Sequence, residues 1–351
     1  MKTLHLICAA RPNFMKIAPL YHALKNENWC DLKIVHTGQH YDYQMSQAFF
    51  DDLDLPSPHY SLEVGKGTHA EQTGQTMLAY EKLCLTESRP NLVVVVGDVN
   101  ATLACSIAAK KLNLKVAHLE AGLRSFDRSM PEEINRIVTD SISDYYWTPS
   151  EDATKNLLRE GVHPEQISFV GNIMIDTHCM MKDKINKKRT SELFGVEEGG
   201  YVVMTLHRPI NVDSKEILQS IFEKISQIDL PLIFPVHPRT KKALTEIKNI
   251  PKNLKIVDPL GYVDFMNLIS SAAYIISDSG GIQEETTYLG IPCFTLRDTT
   301  ERPITITIGS NQLVNIYNLL DKIKHPKKGS IPPLWDGKTS ERIKDIIERI
   351  I

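Results

Sequence analysis

The run Leu92-Val93-Val94-Val95-Val96 constrains the fold more than any other feature of the chain, because it is apolar on both faces. A strand buried on both sides is typical of the centre of a parallel sheet that helices cover on each face. Short β-rich apolar runs alternate with helix-length amphipathic segments along the chain. The sequence therefore predicts a doubly wound α/β fold.

The alternation stops near Gly171-Asn172, gives way to a polar, Lys-rich stretch that ends at Gly199-Gly200, and then starts again. A chain of 351 residues is too long for one typical domain and suits two. We predict an N-terminal Rossmann-like domain at residues 1–171 and a C-terminal one at 172–337, with a last helix at 338–351 that packs back on the first. Two such domains in tandem form a cleft, and ligands favour the carboxyl ends of their strands.

The strands and helices can be predicted individually from the apolar periodicity. Strands are predicted at Leu4–Cys8, Leu32–His36, Leu92–Val96, Val116–His118, Tyr145–Thr148, Ile167–Val170, Tyr201–Leu206, Leu232–Val236, Leu254–Val257, Tyr274–Ser277 and Cys293–Thr295. Helices are predicted at Lys16–Lys25, Ala70–Leu83, Ala101–Leu112, Glu132–Ser143, Glu151–Arg159, Lys215–Ile228, Lys241–Ile247, Tyr262–Ser271, Gln283–Leu289 and Ser340–Ile351.

The composition excludes several classes of partner. A net charge of −3 and an aromatic content of 7% argue against binding to nucleic acid or to an anionic membrane surface. None of the six cysteines forms a C-x-x-C pair, which is typical of a reducing compartment. The first apolar run is cut off by Arg11-Pro12 and is too short for a signal-peptide core, and no run approaches the roughly 20 apolar residues that span a bilayer. We therefore expect a cytoplasmic protein with no membrane partner.

The tract SDSGGIQEE, residues 277–285, follows an apolar strand and leads into a helix. Gly280 and Gly281 let a ligand approach the backbone, and the helix start offers N–H groups and a positive dipole end to a phosphate. Glu285, about one turn into the helix, can accept two hydrogen bonds from a diol. Phosphate beside diol is what a nucleotide presents. A helix start capped by its own aspartate or serine explains the tract equally well.

Two cations bracket the turn after the first strand. Arg11 can bind a phosphate or carboxylate through two hydrogen bonds, and Lys16 can supply a point charge. The alternative is that Lys16 is a solvated residue in the first turn of a helix. A cation is mildly unfavourable in that position, which favours the functional interpretation.

Acidic side chains follow two successive strands. Asp98 comes directly after the Val-rich strand, where it is either a base or a helix N-cap, and capping is the more frequent case. Glu120 lies just past the next strand and has no comparable capping role, so its burial would cost several kcal/mol unless it is paired or protonated. Glu132 belongs to a helix start after Pro131, which partly explains it without any function.

Basic side chains follow strands in the second half of the chain. His207 and His237 each come directly after a predicted strand. A lone histidine is more often structural, but one at a strand end near a phosphate-binding turn is a better candidate for chemistry. Arg302 can reach back to a phosphate, or it can pair with Glu301 or Asp298. We expect neither a metal nor a cofactor, because the sequence has no metal-ligand spacing, no G-x-x-x-x-G-K-[ST] loop and no G-x-G-x-x-G after the first strand.

Taken in order, these motifs closely resemble the non-hydrolysing UDP-N-acetylglucosamine 2-epimerase family. The resemblance covers nearly the whole chain, from Arg11-Pro12 to Arg302-Pro303. It implies two Rossmann-like domains in the glycosyltransferase-B arrangement, reversible conversion of UDP-GlcNAc to UDP-ManNAc, and a homodimer. The chain departs from the family at Ala9-Ala10, where Gly-Thr is frequent, and at Leu260, where many members place a glutamine near the uracil.

The resemblance also implies roles for single residues. Acid–base chemistry is expected of Asp98, Glu120, Glu132 and His207. Substrate binding is expected of Arg11, Lys16, His237, Phe265, Ser279, Gly280, Gly281, Glu285 and Arg302. In the implied reaction, a base removes the C2 proton while UDP leaves C1, which gives a 2-acetamidoglucal; UDP then adds back with a proton on the other face.

Four alternatives remain open from the sequence. The protein can be a 2-epimerase of a modified UDP-sugar, such as a UDP-2,3-diacetamido uronic acid. It can be a hydrolysing epimerase that releases free ManNAc and UDP, or a glycosyltransferase of the same fold. From a different class, it can be a nucleotide-sugar sensor without turnover.

Overall fold

The computed structural model describes residues 1–38, 50–236, 238–245, 247 and 249–351. These residues form two compact units. Unit 1 comprises Met1–Met180 together with Pro333–Ile351, and unit 2 comprises Met181–Pro332. The predicted domain limits at residues 171 and 337 remain a prediction about which segments fold independently.

Unit 1 is a parallel sheet with helices. Its strands are β1 Lys2–Cys8, β2 Cys30–His36, β3 Tyr60–Ser61, β4 Leu92–Val96, β5 Lys115–Leu119, β6 Tyr145–Thr148 and β7 Ile167–Phe169. Its helices are α1 Arg11–Leu24, α2 His69–Thr86, α3 Asn100–Lys111, α4 Pro131–Ile142 and α5 Glu151–Arg159, followed by α6 Ile173–Asn186, which continues into unit 2. The strand order is β3-β2-β1-β4-β5-β6-β7, and each pairing is parallel. The chain reverses its winding direction between β1 and β4, which makes this point the topological switch of the sheet.

The Val-rich strand lies at the centre of that sheet, as predicted. All five residues of β4 are at most 1% exposed. Val93 and Val95 pack with Tyr80 of α2 and Cys105 of α3 on one face of the sheet. Because successive side chains alternate between faces, the burial of Val94 requires packing on the other face as well.

The C-terminal segment belongs to unit 1. Helix α15 (Thr339–Ile350) packs against α1. Asp176 of α6 caps it by accepting hydrogen bonds from the amides of Thr339 at 3.1 Å and Ser340 at 2.7 Å. The buried Trp335 donates its indole N–H to the carbonyl of Pro149 at 2.9 Å.

Unit 2 repeats the architecture. Its strands are β8 Val202–Thr205, β9 Leu232–Pro235, β10 Leu254–Val257, β11 Tyr274–Ser277, β12 Cys293–Leu296 and β13 Asn311–Val314. Its helices are α7 Thr190–Leu193, α8 Pro209–Val212, α9 Lys215–Ile225, α10 Pro238–Leu244, α11 Tyr262–Ser270, α12 Gly280–Leu289, α13 Ile304–Thr307 and α14 Leu319–Lys324. The order β10-β9-β8-β11-β12-β13 is parallel throughout and places the switch point between β8 and β11. The predicted doubly wound α/β fold is therefore confirmed in each unit.

Across the described ranges, no helix has the length and apolar character that a membrane crossing requires.

Candidate active site

The switch point of unit 1 brings together the turns that follow β1 and β4. Asn13 joins these two turns: its side-chain oxygen accepts the amides of Ala9 and Ala10, each at 3.2 Å, and its Nδ2 donates to the carbonyl of Val96 at 3.1 Å. All three hydrogen bonds of this side chain are buried and within the usual range of lengths, so the turn into α1 is fixed to the end of β4. The sequence analysis did not identify Asn13, although an Asn shortly after the end of a strand is a known turn-forming signal.

Lys16 and Glu120 form a buried ion pair above this turn. Helix α1 begins at Arg11, so Lys16 lies in its second turn, and the interpretation of Lys16 as a solvated first-turn residue is wrong. A buried Glu120 was expected to need a partner or a proton, and Lys16 is that partner. Removing one partner of such a pair typically costs about 3–5 kcal/mol, because the remaining charge stays buried.

Gly97 makes room for this ion pair. Its φ of +66° is the left-handed conformation that favours glycine. A Cβ built on it would lie 3.2 Å from both Glu120 Oε2 and Lys16 Nζ, closer than ordinary van der Waals contact. The turn after β4 therefore approaches the ion pair so closely that a side chain there would displace it.

Glu120 combines a strained backbone with an unsatisfied side chain. Its φ is +70°, a conformation that costs a residue with a Cβ about 1–2 kcal/mol. The backbone amide of Glu120 donates a hydrogen bond to the Trp147 carbonyl at 3.1 Å. Its Oε1 is buried and has no hydrogen-bond partner among the described residues. A carboxylate with one oxygen on a cation and the other unoccupied can take up or release a proton at the second oxygen.

Asp98 is fixed by a cation of its own. Its carboxylate accepts a hydrogen bond from Arg136 Nη2 at 2.6 Å, and its carbonyl accepts Asn135 Nδ2 at 2.8 Å. Helix α3 begins at Asn100 with Val99 at the N-cap, so capping does not explain Asp98. Its side chain is 30% exposed, which leaves the carboxylate accessible.

The two glutamates at the start of α4 differ sharply. Glu133 is buried; it pairs with Arg136 at 2.5 Å and accepts the amides of Ser125 at 3.0 Å and Phe126 at 2.8 Å. Glu132 is exposed, and the described residues offer it no hydrogen bond or ion pair. Glu133 therefore holds the loop before α4 and orients Arg136, while Glu132 remains available for a ligand.

A buried network supports the Gly97 turn from below. His118 Nε2 faces the Gly97 carbonyl at 2.8 Å, and Nδ1 faces Asp140 at 2.6 Å. Asp140 also pairs with Arg124 at 2.7 Å. Burial alone would raise the pKa of Asp140, but His118 and Arg124 bring the pKa below its ordinary value. Sequence reasoning missed this network, because its members are brought together only by the packing of β5 against α4.

Asp278 organises the switch point of unit 2. The carboxylate is completely buried. It accepts the ring Nδ1 of His207 at 2.7 Å, the amides of His207 at 3.1 Å and Arg208 at 2.9 Å, and Asn211 Nδ2 at 3.0 Å. Burial opposes ionisation, but these donors outweigh it and lower the pKa of Asp278. Asp278 therefore ties the turn after β8 to the end of β11 and does not cap α12.

The start of α12 is left open. Ser279 occupies the N-cap position without a side-chain capping bond, and its amide donates to Ser277 Oγ at 3.0 Å. A Cβ on Gly281 would meet nothing within 4 Å. A Cβ on Gly280 would lie 2.6 Å from Glu301 and 2.8 Å from Arg302. Gly280 is thus required by packing inside the protein, whereas the space at Gly281 is available to a ligand.

Arg302 belongs to a buried chain of alternating charges. It contacts Glu301, and its Nε lies 2.9 Å from Glu284 Oε1. Glu301 in turn pairs with Arg297 at 2.7 Å. The sequence left open whether Arg302 pairs with Glu301 or with Asp298. In the structure it pairs with Glu301, and Asp298 is exposed. Binding of a phosphate by Arg302 remains a prediction.

The other predicted binding residues are distributed over both units. Glu285 is buried within α12, and Phe265 is half-buried on α11. Arg11 is the first residue of α1, with a side chain outside the described part of the structure. His237 lies outside the described residues. Among the residues that the structure describes, no group of three or more His, Cys, Asp or Glu side chains is placed to hold a metal ion.

Comparison with known proteins identifies the family. The model for UDP-N-acetylglucosamine 2-epimerases matches residues 22–348, most of the chain. The chain belongs to the UDP-N-acetylglucosamine 2-epimerase family. The resemblance inferred from its motifs is therefore confirmed, as is its assignment to the isomerases.

Individual relatives cover almost the whole chain. The UDP-N-acetylglucosamine 2-epimerase of Methanocaldococcus jannaschii is 44% identical over 98% of this chain and 98% of that protein. A crystal structure of UDP-GlcNAc 2-epimerase from the same organism, in complex with UDP-GlcNAc and UDP, superposes with a TM-score of 0.90 at 44% identity and covers 99% of both chains. The UDP-2,3-diacetamido-2,3-dideoxy-D-glucuronate 2-epimerase of Pseudomonas aeruginosa is 39% identical over 90% of this chain and 88% of that protein.

Proposed function

We propose that the protein interconverts UDP-GlcNAc and UDP-ManNAc by eliminating UDP and adding it back. The proposal is supported by family membership and by the similarity to an epimerase crystallised with UDP-GlcNAc and UDP. The observation that carries it is the pair of carboxylates at the ends of neighbouring strands: Asp98 after β4 and Glu120 after β5, each fixed by a cation.

The chemistry explains why such carboxylates are needed. The C2 proton of an N-acetylated sugar is weakly acidic. A base takes this proton while the C1–O bond breaks, so the C–H electron pair forms the C1=C2 double bond and UDP leaves with the C–O pair. In the return step, UDP re-forms the C1–O bond and C2 receives a proton on the opposite face. Acid–base groups are therefore required on two sides of the sugar.

We assign this acid–base work to Asp98, Glu120 and Glu132. Glu120 brings a buried oxygen and Glu132 an exposed carboxylate, neither of which has a partner among the described residues, and Asp98 brings an accessible carboxylate oriented by Arg136. Arg136 and Lys16 fix the direction of the neighbouring carboxylates, which is the pre-organisation that proton transfer needs.

We assign the nucleotide to groups in the second half of the chain and to the two cations that follow β1. The open start of α12, with Ser279, Gly280 and Gly281, offers N–H groups to the diphosphate. His207 assists the departing diphosphate, Glu285 binds the ribose hydroxyls, and Phe265 lies beside the uracil. Arg11, Lys16, His237 and Arg302 complete the proposed set of substrate-binding residues. We further propose a homodimer in the cytoplasm as the working form of the protein.

Proton NMR of UDP-GlcNAc with the purified protein in D₂O tests the proposal. We expect UDP-ManNAc to appear, with deuterium at C2 of both sugars at equilibrium. Free ManNAc and UDP would instead identify a hydrolysing enzyme. Binding of UDP-GlcNAc without conversion of any UDP-sugar would identify a sensor, and turnover only after an acceptor is added would identify a glycosyltransferase.

A second substrate is supported by one specific comparison. The Pseudomonas aeruginosa relative, named for a diacetamido glucuronate, is 39% identical to this chain. A panel of UDP-GlcNAc and UDP-2,3-diacetamido-2,3-dideoxyglucuronate under the same conditions separates the two substrates. Exchange at C2 of the uronate alone would keep the mechanism and change the substrate.

A further inference from the structure

The buried Asp278 is not explained by the proposed chemistry, because it has no oxygen left for a ligand. Its Oδ2 accepts Asn211 Nδ2 at 3.0 Å and the amide of Arg208 at 2.9 Å. Its Oδ1 accepts the ring Nδ1 of His207 at 2.7 Å. A carboxylate saturated in this way cannot also bind substrate, so its effect on the reaction must pass through the groups it holds.

The bonds of the carboxylate are of two kinds. The amide of His207 donates to Oδ1 at 3.2 Å and to Oδ2 at 3.1 Å, and these bonds hold the turn after β8 together with those of Arg208 and Asn211. The bond to the imidazole is the one that reaches the side chain of His207. The ring is 42% exposed while the carboxylate beneath it is completely buried, so the bond links an interior charge to an accessible side chain.

We propose that Asp278 is the positioning residue of His207, which it holds with Nδ1 protonated so that Nε2 exchanges the proton with the leaving diphosphate. The inference rests on the proposed function for the identity of the leaving group. A carboxylate accepts only, so Nδ1 carries a hydrogen whether the ring is neutral or cationic. Nε2 is then the nitrogen that gains and loses the proton.

The negative charge of Asp278 favours the same role for His207 as the hydrogen-bond geometry does. When the C1–O bond breaks, the β-phosphate oxygen gains negative charge, and an imidazolium donating from Nε2 stabilises it. The buried carboxylate stabilises that imidazolium. The neighbouring cation is Arg208, whose Nε donates to the Asp278 carbonyl at 3.1 Å. In the return direction, Nε2 takes the proton back from the diphosphate, so the ring is regenerated in each cycle.

The first test is the tautomer of His207 in the full-length wild-type protein. Long-range ¹⁵N–¹H NMR at a pH where the ring is neutral, with His207→Asn to assign the signal, identifies the protonated nitrogen. We expect a hydrogen on Nδ1 in the wild type and a larger share of the Nε2–H form in Asp278→Asn. A wild-type ring with its hydrogen on Nε2 would overturn the inference. This spectrum decides the point even if the protein does not convert UDP-GlcNAc, in which case only the proposed function fails.

The second test is kinetic. In Asp278→Asn we expect kcat to fall by about 10²- to 10⁴-fold with a smaller change in KM. In a His207→Asn background, the same substitution should add little further loss. An equal loss in both backgrounds would show that Asp278 acts only on the fold.

A matched control separates positioning from a general effect on these strands. Thr205 lies on β8 two residues before His207, and its hydroxyl bonds Ser277 Oγ at 2.7 Å across the same strand pair. Thr205→Val removes that bond without touching the carboxylate. We expect this variant to keep a kcat close to that of the wild type and the Nδ1–H tautomer. A kcat that falls as far in Thr205→Val as in Asp278→Asn would contradict the assignment.

Discussion

Glu120 in unit 1 and Asp278 in unit 2 are both buried carboxylates that follow a parallel strand near a switch point, yet their surroundings differ. Asp278 accepts hydrogen bonds at both oxygens from a ring, a side-chain amide and two backbone amides. Glu120 contacts Lys16 through one oxygen, and its buried Oε1 has no partner among the described residues. Burial alone therefore does not distinguish a chemical carboxylate from a structural one.

The unsatisfied atom makes the distinction. A buried acceptor without a donor costs about 1–3 kcal/mol, and Glu120 adds a left-handed backbone conformation to that cost. Such a cost persists where a ligand or a proton completes the site, and it is absent where the group only holds the fold. We group Asp98 and Glu132 with Glu120 because their carboxylates are accessible, and we group the buried, hydrogen-bonded Glu133 with Asp278.

The largest expected effect is that of Asp98→Asn. The amide keeps an acceptor for Arg136 but can no longer act as a base, so we expect kcat to fall by about 10²- to 10⁴-fold. UDP affinity, measured by calorimetry on the same sample, should stay close to that of the wild type. Full turnover in this variant would remove Asp98 from the chemical class.

The neighbouring glutamates of α4 provide the sharpest matched pair. Glu132→Gln should lower turnover by a similar factor with a stability within about 0.5 kcal/mol of the wild type, because its side chain is exposed. Glu133→Gln should instead lower stability by about 3–5 kcal/mol, since it leaves Arg136 partly unpaired in the interior. Urea unfolding and turnover assays on both variants check this. Loss of stability in Glu132→Gln together with loss of turnover alone in Glu133→Gln would contradict the distinction between the two glutamates.

Two glycines test the same contrast with a single methyl group. Gly97→Ala should lower stability by about 1–2 kcal/mol and reduce turnover, because its φ is positive and its Cβ would press on Lys16 and Glu120. Gly281→Ala should leave stability unchanged or raise it by up to about 1 kcal/mol, because its Cβ meets nothing inside the protein. The second variant should nevertheless weaken UDP binding. Unaltered UDP affinity would remove the start of α12 from the nucleotide site.

The smallest expected effect concerns acid stability. The folded-state pKa of Asp278 is lowered, so its contribution is fully present above the ordinary pKa of an aspartate and is lost as the pH falls below about 4. Asp278→Asn should be less stable at neutral pH and show a shallower loss of stability between neutral pH and pH 3. The slope should not vanish, because Asp140 has a lowered pKa as well. A slope equal to that of the wild type would contradict the ionised, saturated state of Asp278.

The fold was largely predictable because its signals are local. Buried parallel strands are continuous apolar runs, and β4, β6, β10 and β11 have the predicted limits. The polar edge strand β13, Asn311–Val314, has too few apolar residues to be recognised. Helix α6 was not predicted, because its Lys-containing second half was interpreted as part of a polar stretch and its buried start at Ile173–Ile175 was too short to indicate a helix.

The candidate site was predictable in position but not in pairing. Strand ends at a switch point identified Asp98, Glu120 and His207, because parallel strands place their carboxyl ends on one edge. Nothing in the sequence relates Asp278 to His207, which are 71 residues apart. The same holds for Lys16 and Glu120, whose contact depends on where α1 begins. Which charges pair depends on the tertiary structure, so the sequence offered Asp278 only as one possible helix cap and left Glu120 without its cation.

Exchange at C2 in Glu120→Gln tests the central claim most directly. UDP-GlcNAc in D₂O is followed by NMR with the wild type and with this variant, after both give the same folded spectrum and bind UDP. The account predicts deuterium at C2 and UDP-ManNAc with the wild type, and an exchange rate lower by about 10²-fold or more with the variant. Wild-type exchange in Glu120→Gln would show that its unsatisfied oxygen takes no part in the chemistry.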